Sequence, residues 1–240
     1  MKKIKNYLNR LNDRSLNYGE KIISNWLETL DAESILDIGA GQGRDLLIAK
    51  NKLKNANLNA IENFPDSIES LERKDIKVTS LDLEKDKFPF EDKSLDLIIG
   101  NQILEHCKEI FWIHHEIFRT LKIGGSLIIG VPNLAAYYNR LGLLFGKQPY
   151  CISLDGAHVR GFTKTGYINF LNSAISNNYS LKDFKGANFV PFPKSFAILM
   201  SKLFPNSSTC IFFHIVKTSH YDKSFIEITK NLETPFWKGV

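Results

Sequence analysis

The chain has 240 residues, 43% of them hydrophobic, and a formal net charge of +5. This length is sufficient for a complete buried core, so we expect a single domain over residues 1–240. No stretch approaches the roughly 18 apolar residues of a membrane span, and the lysines are scattered among acids rather than gathered in a nucleic-acid-binding stripe. The three cysteines are far apart and form no C-x-x-C pair, which predicts a reducing, cytoplasmic location.

The first part of the chain carries apolar residues at helical spacing, among them Leu8, Leu11, Ile22 and Trp26. We expect residues 1–30 to form a helical cap over the outer edge of the ligand site that the following segments build.

Beyond this cap, strand-like and helix-like segments alternate, which predicts an α/β fold with a parallel sheet. A helix near residues 107–121 is predicted to stop at Gly124 and Gly125. The strands are predicted near residues 34–38, 57–62, 76–81, 95–100 and 126–131.

A glycine-rich turn follows the first strand. Gly39, Gly41 and Gly43 stand at alternate positions, and alternate glycines let backbone N–H groups approach a ligand at a helix N-terminus. A dinucleotide fingerprint would need its third glycine where Arg44 or Leu46 stands, and the Gly-Lys-Ser/Thr ending of a P-loop is also missing. The turn therefore predicts a nucleotide-like ligand of another class.

With Asp37, the turn reads D-x-G-x-G-x-G, which resembles the first motif of the class I S-adenosylmethionine (SAM) dependent methyltransferases. The resemblance implies SAM as cofactor and S-adenosylhomocysteine (SAH) as product. SAM carries an ammonium group and no phosphate, so Asp37 is placed to accept from that ammonium, directly or through water. The alternative is that Asp37 only caps the loop. The amides facing the cofactor would belong to Gly39, Ala40, Gly41, Gln42 and Gly43.

The same resemblance implies a Rossmann-like doubly wound sheet of seven strands, mostly parallel with an antiparallel last strand, and helices on both faces. The last two strands are predicted over residues 179–184 and 210–217. Between them, residues 189–204 are predicted to form a loop and a short helix. The aromatic side chains of that helix would line the substrate pocket or a dimer contact, unless they belong to the core.

A second acidic residue, Glu62, ends the second predicted strand 19 residues after Gly43. An acid at this spacing is suited to hold both ribose hydroxyls. In the resembled family, Asn63 and Phe64 would lie beside the adenosine.

Further cofactor contacts follow from the resemblance alone. Asp82 would accept from the adenine amine, and the backbone amide of Leu83 would donate to a ring nitrogen. Asn101 and Gln102 follow the fourth strand, in a segment similar to the one that lines the methyl-transfer site. Asp96, at the start of that strand, is predicted to be structural.

Residues 133–209 contain the predicted substrate-site insertions. Two stretches there, Pro-Asn-x-x-x-x-x-Asn-Arg and Gly-x-His-x-Arg-x-Phe-Thr, are similar to a subset of small bacterial methyltransferases, some from surface-polysaccharide gene clusters. Thr163 is predicted to be the N-cap of a helix. The candidate substrate-binding residues are Tyr137, Tyr138, Arg140, His158 and Arg160.

Two histidines are the candidate catalytic residues. His158 and Arg160 would face the same side of an extended segment, as a general base and an anion clamp. His106 follows the fourth strand, where the family places residues near the transferred methyl group. For each histidine the alternative is a structural role, in fixing a loop or in packing around the cofactor.

A metal ion is the remaining open question. Some relatives, including the small-RNA terminal methyltransferases and ubiquinone-pathway O-methyltransferases, hold a divalent cation with an E-x-x-E-H segment. This chain has Gln102 in place of the first glutamate, which leaves Glu105, His106 and His158 as weak candidate ligands, with water or substrate needed to complete the site. We therefore regard a divalent metal as an unfavoured alternative.

The sequence thus predicts a SAM-dependent methyltransferase that modifies an oxygen, or a nitrogen, of a small metabolite. The resemblance suggests a sugar or phosphorylated precursor of surface polysaccharide. An RNA methyltransferase, a non-catalytic SAM-binding regulator and a dehydrogenase are the alternatives. The expected partner is a small-molecule substrate, without nucleic acid or a membrane span, and the expected state is a monomer or homodimer.

Overall fold

The structure, a computed structural model, describes residues 13–230, so the predictions for residues 1–12 and 231–240 lie outside it. A seven-stranded sheet has the order β3-β2-β1-β4-β5-β7-β6. Strand β7 runs antiparallel to both of its neighbours, whereas the other observed pairings are parallel, which confirms the predicted fold class. The strands are β1 (Ser34–Ile38), β2 (Asn57–Ile61), β3 (Lys77–Thr79), β4 (Leu95–Asn101), β5 (Leu121–Pro132), β6 (Tyr179–Ala187) and β7 (Cys210–Lys217).

Successive strand residues alternate between two hydrophobic cores, one on each face of the sheet, because side chains in a strand point alternately to opposite sides. In β5, Leu127 and Ile129 belong to the first core, and Ile128 between them belongs to the second. The helices are α1 (Glu20–Leu27), α2 (Arg44–Lys52), α3 (Pro65–Glu72), α4 (Ile110–Thr120), α5 (Tyr137–Leu144), α6 (Lys164–Ile175), α7 (Lys194–Leu203) and α8 (Ser224–Thr229). Helices α4, α6 and α8 pack in the first core, and α1, α2 and α3 pack in the second.

Several element boundaries differ from the sequence prediction, among them the start of β5 and the end of β6. Strand β3 spans fewer residues than predicted. Helix α4 ends at Thr120 rather than at the glycine pair, because Leu121 already pairs with Leu95 of β4. Residues 122–125 then form an irregular excursion of the strand, with Gly124 in the left-handed region at φ +85°.

The described part of the predicted N-terminal cap consists of a 3-10 turn, Arg14–Tyr18, followed by α1. Helix α1 buries Ile23, Trp26 and Leu27 in the second core. The indole Nε1 of Trp26 donates to Asp183 Oδ2 over 2.9 Å and so joins α1 to the edge strand β6.

Strand β1 lies between β2 and β4, and it is parallel to both. The chain runs from β1 outward to β2 and β3 on one side, and then crosses over to β4 on the other side of β1. This reversal of strand order opens a crevice at the carboxyl ends of the strands, which is where open α/β sheets bind ligands. None of the described helices is long and apolar enough to cross a membrane.

Candidate active site

A cavity of about 390 Å³ lies at this crevice. Its walls come from the turn before α1, the glycine turn after β1, the start of α2, the end of β4 and the loop before α6. The lining residues are Tyr18, Asp37, Gly39, Ala40, Gly41, Gln42, Arg44, Asp45, Asn101, Gln102, Glu105, His106 and His158.

The glycine turn is fixed by close packing as well as by backbone conformation. Gly39 and Gly43 have φ values of +67° and +76°. A Cβ atom at Gly39 would lie 2.6 Å from Ile103, and one at Gly43 would lie 2.6 Å from Leu71. Larger residues at either position would therefore displace the turn from the cavity wall.

Glu62 joins the end of β2 to this turn. Its Oε2 accepts the N–H of Gly41 over 2.7 Å, and its Oε1 accepts the N–H groups of Asn63 and Phe64 over 2.8 and 3.0 Å. The carboxylate is buried and does not line the cavity directly. In the structure it therefore positions the glycine turn, and its ribose contact stays a prediction.

The cavity is acidic. Burial, reinforced by the charges of Asp45 and Glu62, raises the pKa of Asp37 well above its usual range. Burial also raises the pKa of Asp45, and it raises the pKa of Glu105 to about 7. Carboxylates so close together and so poorly hydrated are best stabilised by a positively charged ligand.

Several buried acceptors in the cavity wall lack a hydrogen-bond donor among the described residues. They are Asp45 Oδ1, Asn101 Oδ1 and Glu105 Oε2. The other atoms of the Asp45 and Asn101 pair are engaged, since Asn101 Nδ2 donates to Asp45 Oδ2 over 2.8 Å and to Tyr18 O over 2.9 Å. In the described part of the chain, the same wall holds one unpartnered buried donor, Gln102 Nε2. Buried polar atoms of this kind are normally satisfied, so the wall offers three acceptors and one donor to a ligand.

His106 and His158 meet at the mouth of the cavity, with ring centroids 4.7 Å apart. The Nδ1 atom of His158 faces Cys151 O at 2.8 Å, and that of His106 faces Ala157 O at 3.3 Å. Because a carbonyl oxygen only accepts, each Nδ1 carries the proton and each Nε2 keeps its lone pair. Burial and the nearby His158 lower the pKa of His106, which favours its neutral form.

The loop that carries His158 is held by Glu105. The backbone carbonyl of Glu105 accepts the N–H groups of Val159 and Arg160 over 2.8 and 3.2 Å. Glu105, His106 and His158 each offer one ligand atom within 4.8 Å of the others, so the predicted metal candidates do come together. These three side chains are suited to accept protons or to hold a divalent cation.

The predicted adenine contacts lie outside the cavity lining. Asp82 caps a turn, since its Oδ1 accepts the N–H of Glu84 over 2.9 Å and its Oδ2 lies 3.3 Å from Lys85 Nζ. Leu83 packs against the first core. Asn63 accepts from Ser80 Oγ over 3.1 Å, and Phe64 is exposed beside it.

Most of the predicted substrate-binding residues do not line the cavity together with His158. The phenol of Tyr137 donates to Val190 O over 2.6 Å. Arg140 donates to Ala135 O and Asn206 O over 2.7 and 3.1 Å.

Arg160 also points away from the cavity, because its guanidinium donates to the carbonyl oxygens of Cys107 and Lys108. Burial raises the pKa of the Tyr138 phenol. Of the predicted substrate residues, only His158 is among those that line the described cavity.

Three lining residues have no counterpart among the predicted site residues: Tyr18, Arg44 and Asp45. The guanidinium of Arg44 lies 3.7 Å from the ring centroid of Tyr18 and closes one side of the cavity. Asp45 had a signal in the sequence, since it is the second residue of the helix after the glycine turn. An acid there is usually explained by the helix dipole alone.

Comparison with known proteins agrees with this geometry. Residues 36–129 match a family described as a methyltransferase domain. The chain is 31% identical over 159 residues to ribosomal RNA large subunit methyltransferase G of Pseudoalteromonas translucida, covering 60% of this chain and 41% of that protein. The chain spans less than half the length of the curated relatives it matches.

Two solved structures illustrate the shared fold. A putative methyltransferase of Haloferax volcanii, in complex with the Trm112 methyltransferase activator, has a TM-score of 0.62 at 13% identity, covering 91% of this chain and 97% of that one. The plantazolicin methyltransferase BpumL, in complex with SAH, has a TM-score of 0.59 at 16% identity, covering 91% and 90%.

The sheet order, the glycine turn and the crevice at the strand ends define a Rossmann-like fold. Residues 36–129 are similar to the methyltransferase domain family, and solved structures of SAM-dependent methyltransferases share the fold.

Proposed function

We propose that the protein transfers the methyl group of SAM to an oxygen, or a nitrogen, of a small metabolite. The observation that carries the proposal is the acidic cavity with acceptors that lack donors. SAM brings a positively charged sulfonium, an ammonium group and hydroxyl donors, which complement such a wall. The carboxyl groups of the wall are unfavourable neighbours for the phosphates of NAD, which is correspondingly disfavoured.

Asp37 would hold the ammonium group, and the glycine turn would pack along the cofactor. When bound, SAM supplies a methyl group already activated for displacement. The protein then contributes alignment and exclusion of water, which account for much of a large rate effect. The Nε2 lone pair of His158, or that of His106, would take the proton of the acceptor hydroxyl or amine.

The acceptor is proposed to be a small metabolite, with a sugar or phosphorylated polysaccharide precursor as the first class to screen. RNA is the second candidate, because one relative is named as a ribosomal RNA methyltransferase. RNA binding would weaken steeply with salt, whereas binding of a neutral sugar would not. A cation held by Glu105, His106 and His158 is the alternative use of that cluster.

Calorimetric titration with SAM, SAH and NAD, repeated with EDTA, tests the cofactor assignment. We expect saturable binding of SAM and SAH, no binding of NAD and no effect of EDTA. Loss of SAM binding in EDTA would favour the metal alternative. Absence of SAM binding under both conditions would overturn the proposal. SAM binding without turnover on any acceptor class would favour the regulatory alternative.

A further inference from the structure

Large apolar side chains are exposed in two segments outside the cavity. In residues 141–154, Leu144, Phe145 and Leu154 are 79%, 78% and 95% exposed. In residues 192–204, Leu199, Leu203 and Phe204 are 52%, 61% and 53% exposed. Single exposed apolar residues are ordinary, but a concentration of this size marks an interaction surface.

The two helices in these segments bury small or polar side chains and expose large apolar ones. Helix α7 buries the small residues Ala197 and Ser201 and turns Leu199 and Leu203 outward. Helix α5 buries Asn139 and leaves its leucines exposed. A surface helix normally buries its apolar side. Both helices are therefore arranged to present an apolar face to something outside the domain.

The two segments adjoin each other. The rings of Tyr137, at the start of α5, and Phe192, just before α7, have centroids 6.0 Å apart. Arg140 Nη2 donates to Asn206 O, just beyond α7, over 3.1 Å. We call the exposed side chains of residues 141–154 and 192–204 the α5–α7 surface.

The charge around this surface is mainly positive. Residues 133–154 and 184–209 contain no aspartate or glutamate, and their basic residues are Arg140, Lys147, Lys185, Lys194 and Lys202. The exposed acid beside the surface is Asp155, which follows Leu154. Lys194 pairs with Asp13 and Lys185 with Asp183, whereas Lys147 and Lys202 are exposed. Two such surfaces would repel each other, so a second copy is disfavoured as the occupant.

We propose that the α5–α7 surface binds an anionic phospholipid bilayer. Helices with exposed leucine and phenylalanine and with lysines beside them lie in the plane of the interface, with the apolar side chains inserted and the lysines near the headgroups. Leu154 lies in the same loop as His158, which lines the cavity. The proposal does not depend on the identity of the cofactor or of the acceptor.

Vesicle flotation of the full chain, without SAM, tests the proposal. The probes are phosphatidylcholine vesicles with and without phosphatidylglycerol. We expect binding to the anionic vesicles that weakens with salt. Two double variants, Leu144→Glu with Phe145→Glu and Leu199→Glu with Leu203→Glu, should each lower the partition coefficient by about tenfold or more. Lys147→Glu with Lys202→Glu should weaken binding only to the anionic vesicles.

The matched control is Ile123→Glu, whose side chain is 52% exposed, as that of Leu199 is, but lies on the β5 excursion. This variant should bind vesicles as the unmodified protein does. Circular dichroism verifies that every variant is folded. Failure of the unmodified protein to float, or equal flotation of all variants, would overturn the proposal. So would a dimer, seen by light scattering, that the leucine variants dissociate while vesicles are not bound.

Discussion

Glu62 shows how one buried carboxylate fixes the glycine turn that forms part of the cavity wall. Its two oxygens accept three backbone N–H groups, from Gly41, Asn63 and Phe64. Glu62→Ala should release the turn and weaken SAM binding by at least about tenfold, equal to about 1.4 kcal/mol. Calorimetry measures this, with the exposed Glu69→Ala on α3 as the control. Unchanged SAM affinity in Glu62→Ala would remove Glu62 from the cofactor site.

His158 should affect turnover and not cofactor binding. Once an acceptor is known, His158→Ala should lower kcat by about a hundredfold or more, because an unassisted acceptor keeps its proton. SAM affinity should stay within about twofold, since His158 is assigned to the acceptor side. His220→Ala, at an exposed position, is the control. Full activity of His158→Ala would return this residue to a loop-fixing role.

Glu105 should make the stability of the ligand-free protein depend on pH. Its pKa is raised by burial from the usual 4.5 to about 7. Between these values the folded state binds more protons than the unfolded state, so the free energy of unfolding falls as pH rises. The loss contributed by Glu105 approaches about 3 kcal/mol above pH 7.

Glu105→Gln should flatten this part of the profile. Urea unfolding of both proteins from pH 4.5 to pH 8, with EDTA present, measures the difference in slope. Other titrating groups contribute equally to both profiles and cancel. Parallel profiles would show that the Glu105 carboxyl is better hydrated or better partnered than its burial indicates.

At the scale of single elements, the N-cap of α6 is the clearest local signal in the sequence. The hydroxyl oxygen of Thr163 accepts the N–H of Gly166 over 2.9 Å, as predicted. Thr163→Ala should lower the free energy of unfolding by about 1 kcal/mol. Thr165→Ala, at an exposed position in the same helix, should change it by less than about 0.5 kcal/mol. Equal effects of the two changes in urea unfolding would contradict the capping role.

Elements with a local signature were predicted well, whereas contacts between distant segments were not. The strands and the glycine turn carry their patterns in a few consecutive residues. Arg160 has no such pattern, because its bonds to the carbonyls of Cys107 and Lys108 depend on how two loops meet. The exposed leucines of α5 were equally hidden, because helical spacing predicts that the apolar side of a surface helix is the buried one.

The same distinction applies to the cavity as a whole. Asp37, the glycine turn and the two histidines were predicted and do line it. Tyr18 reaches it from a turn before α1, and that turn is held by Asn101, whose Nδ2 donates to Tyr18 O, and by Asn188, whose Nδ2 donates to Asn17 Oδ1. The sequence contains no motif or spacing that would indicate a residue placed in this way.

For the whole molecule, SAM should stabilise the fold by mass action. At a SAM concentration about 100 times Kd, the free energy of unfolding should rise by about 2.7 kcal/mol. For a chain of this size, that corresponds to an increase of roughly 5–10 °C in Tm. Differential scanning fluorimetry measures the change, with NAD as the control. An equal increase with NAD would contradict the cofactor assignment.

The position of β7 also bears on how the protein is made. It is the last strand among the described residues, yet it lies between β5 and β6 rather than at an edge of the sheet. Until residues 210–217 have left the ribosome, β5 and β6 each present an open row of backbone donors and acceptors. The free edge of β5 therefore stays unpaired while residues 133–209 are made, and that of β6 while residues 188–209 are made. The two halves of the sheet are joined only after β7 has emerged.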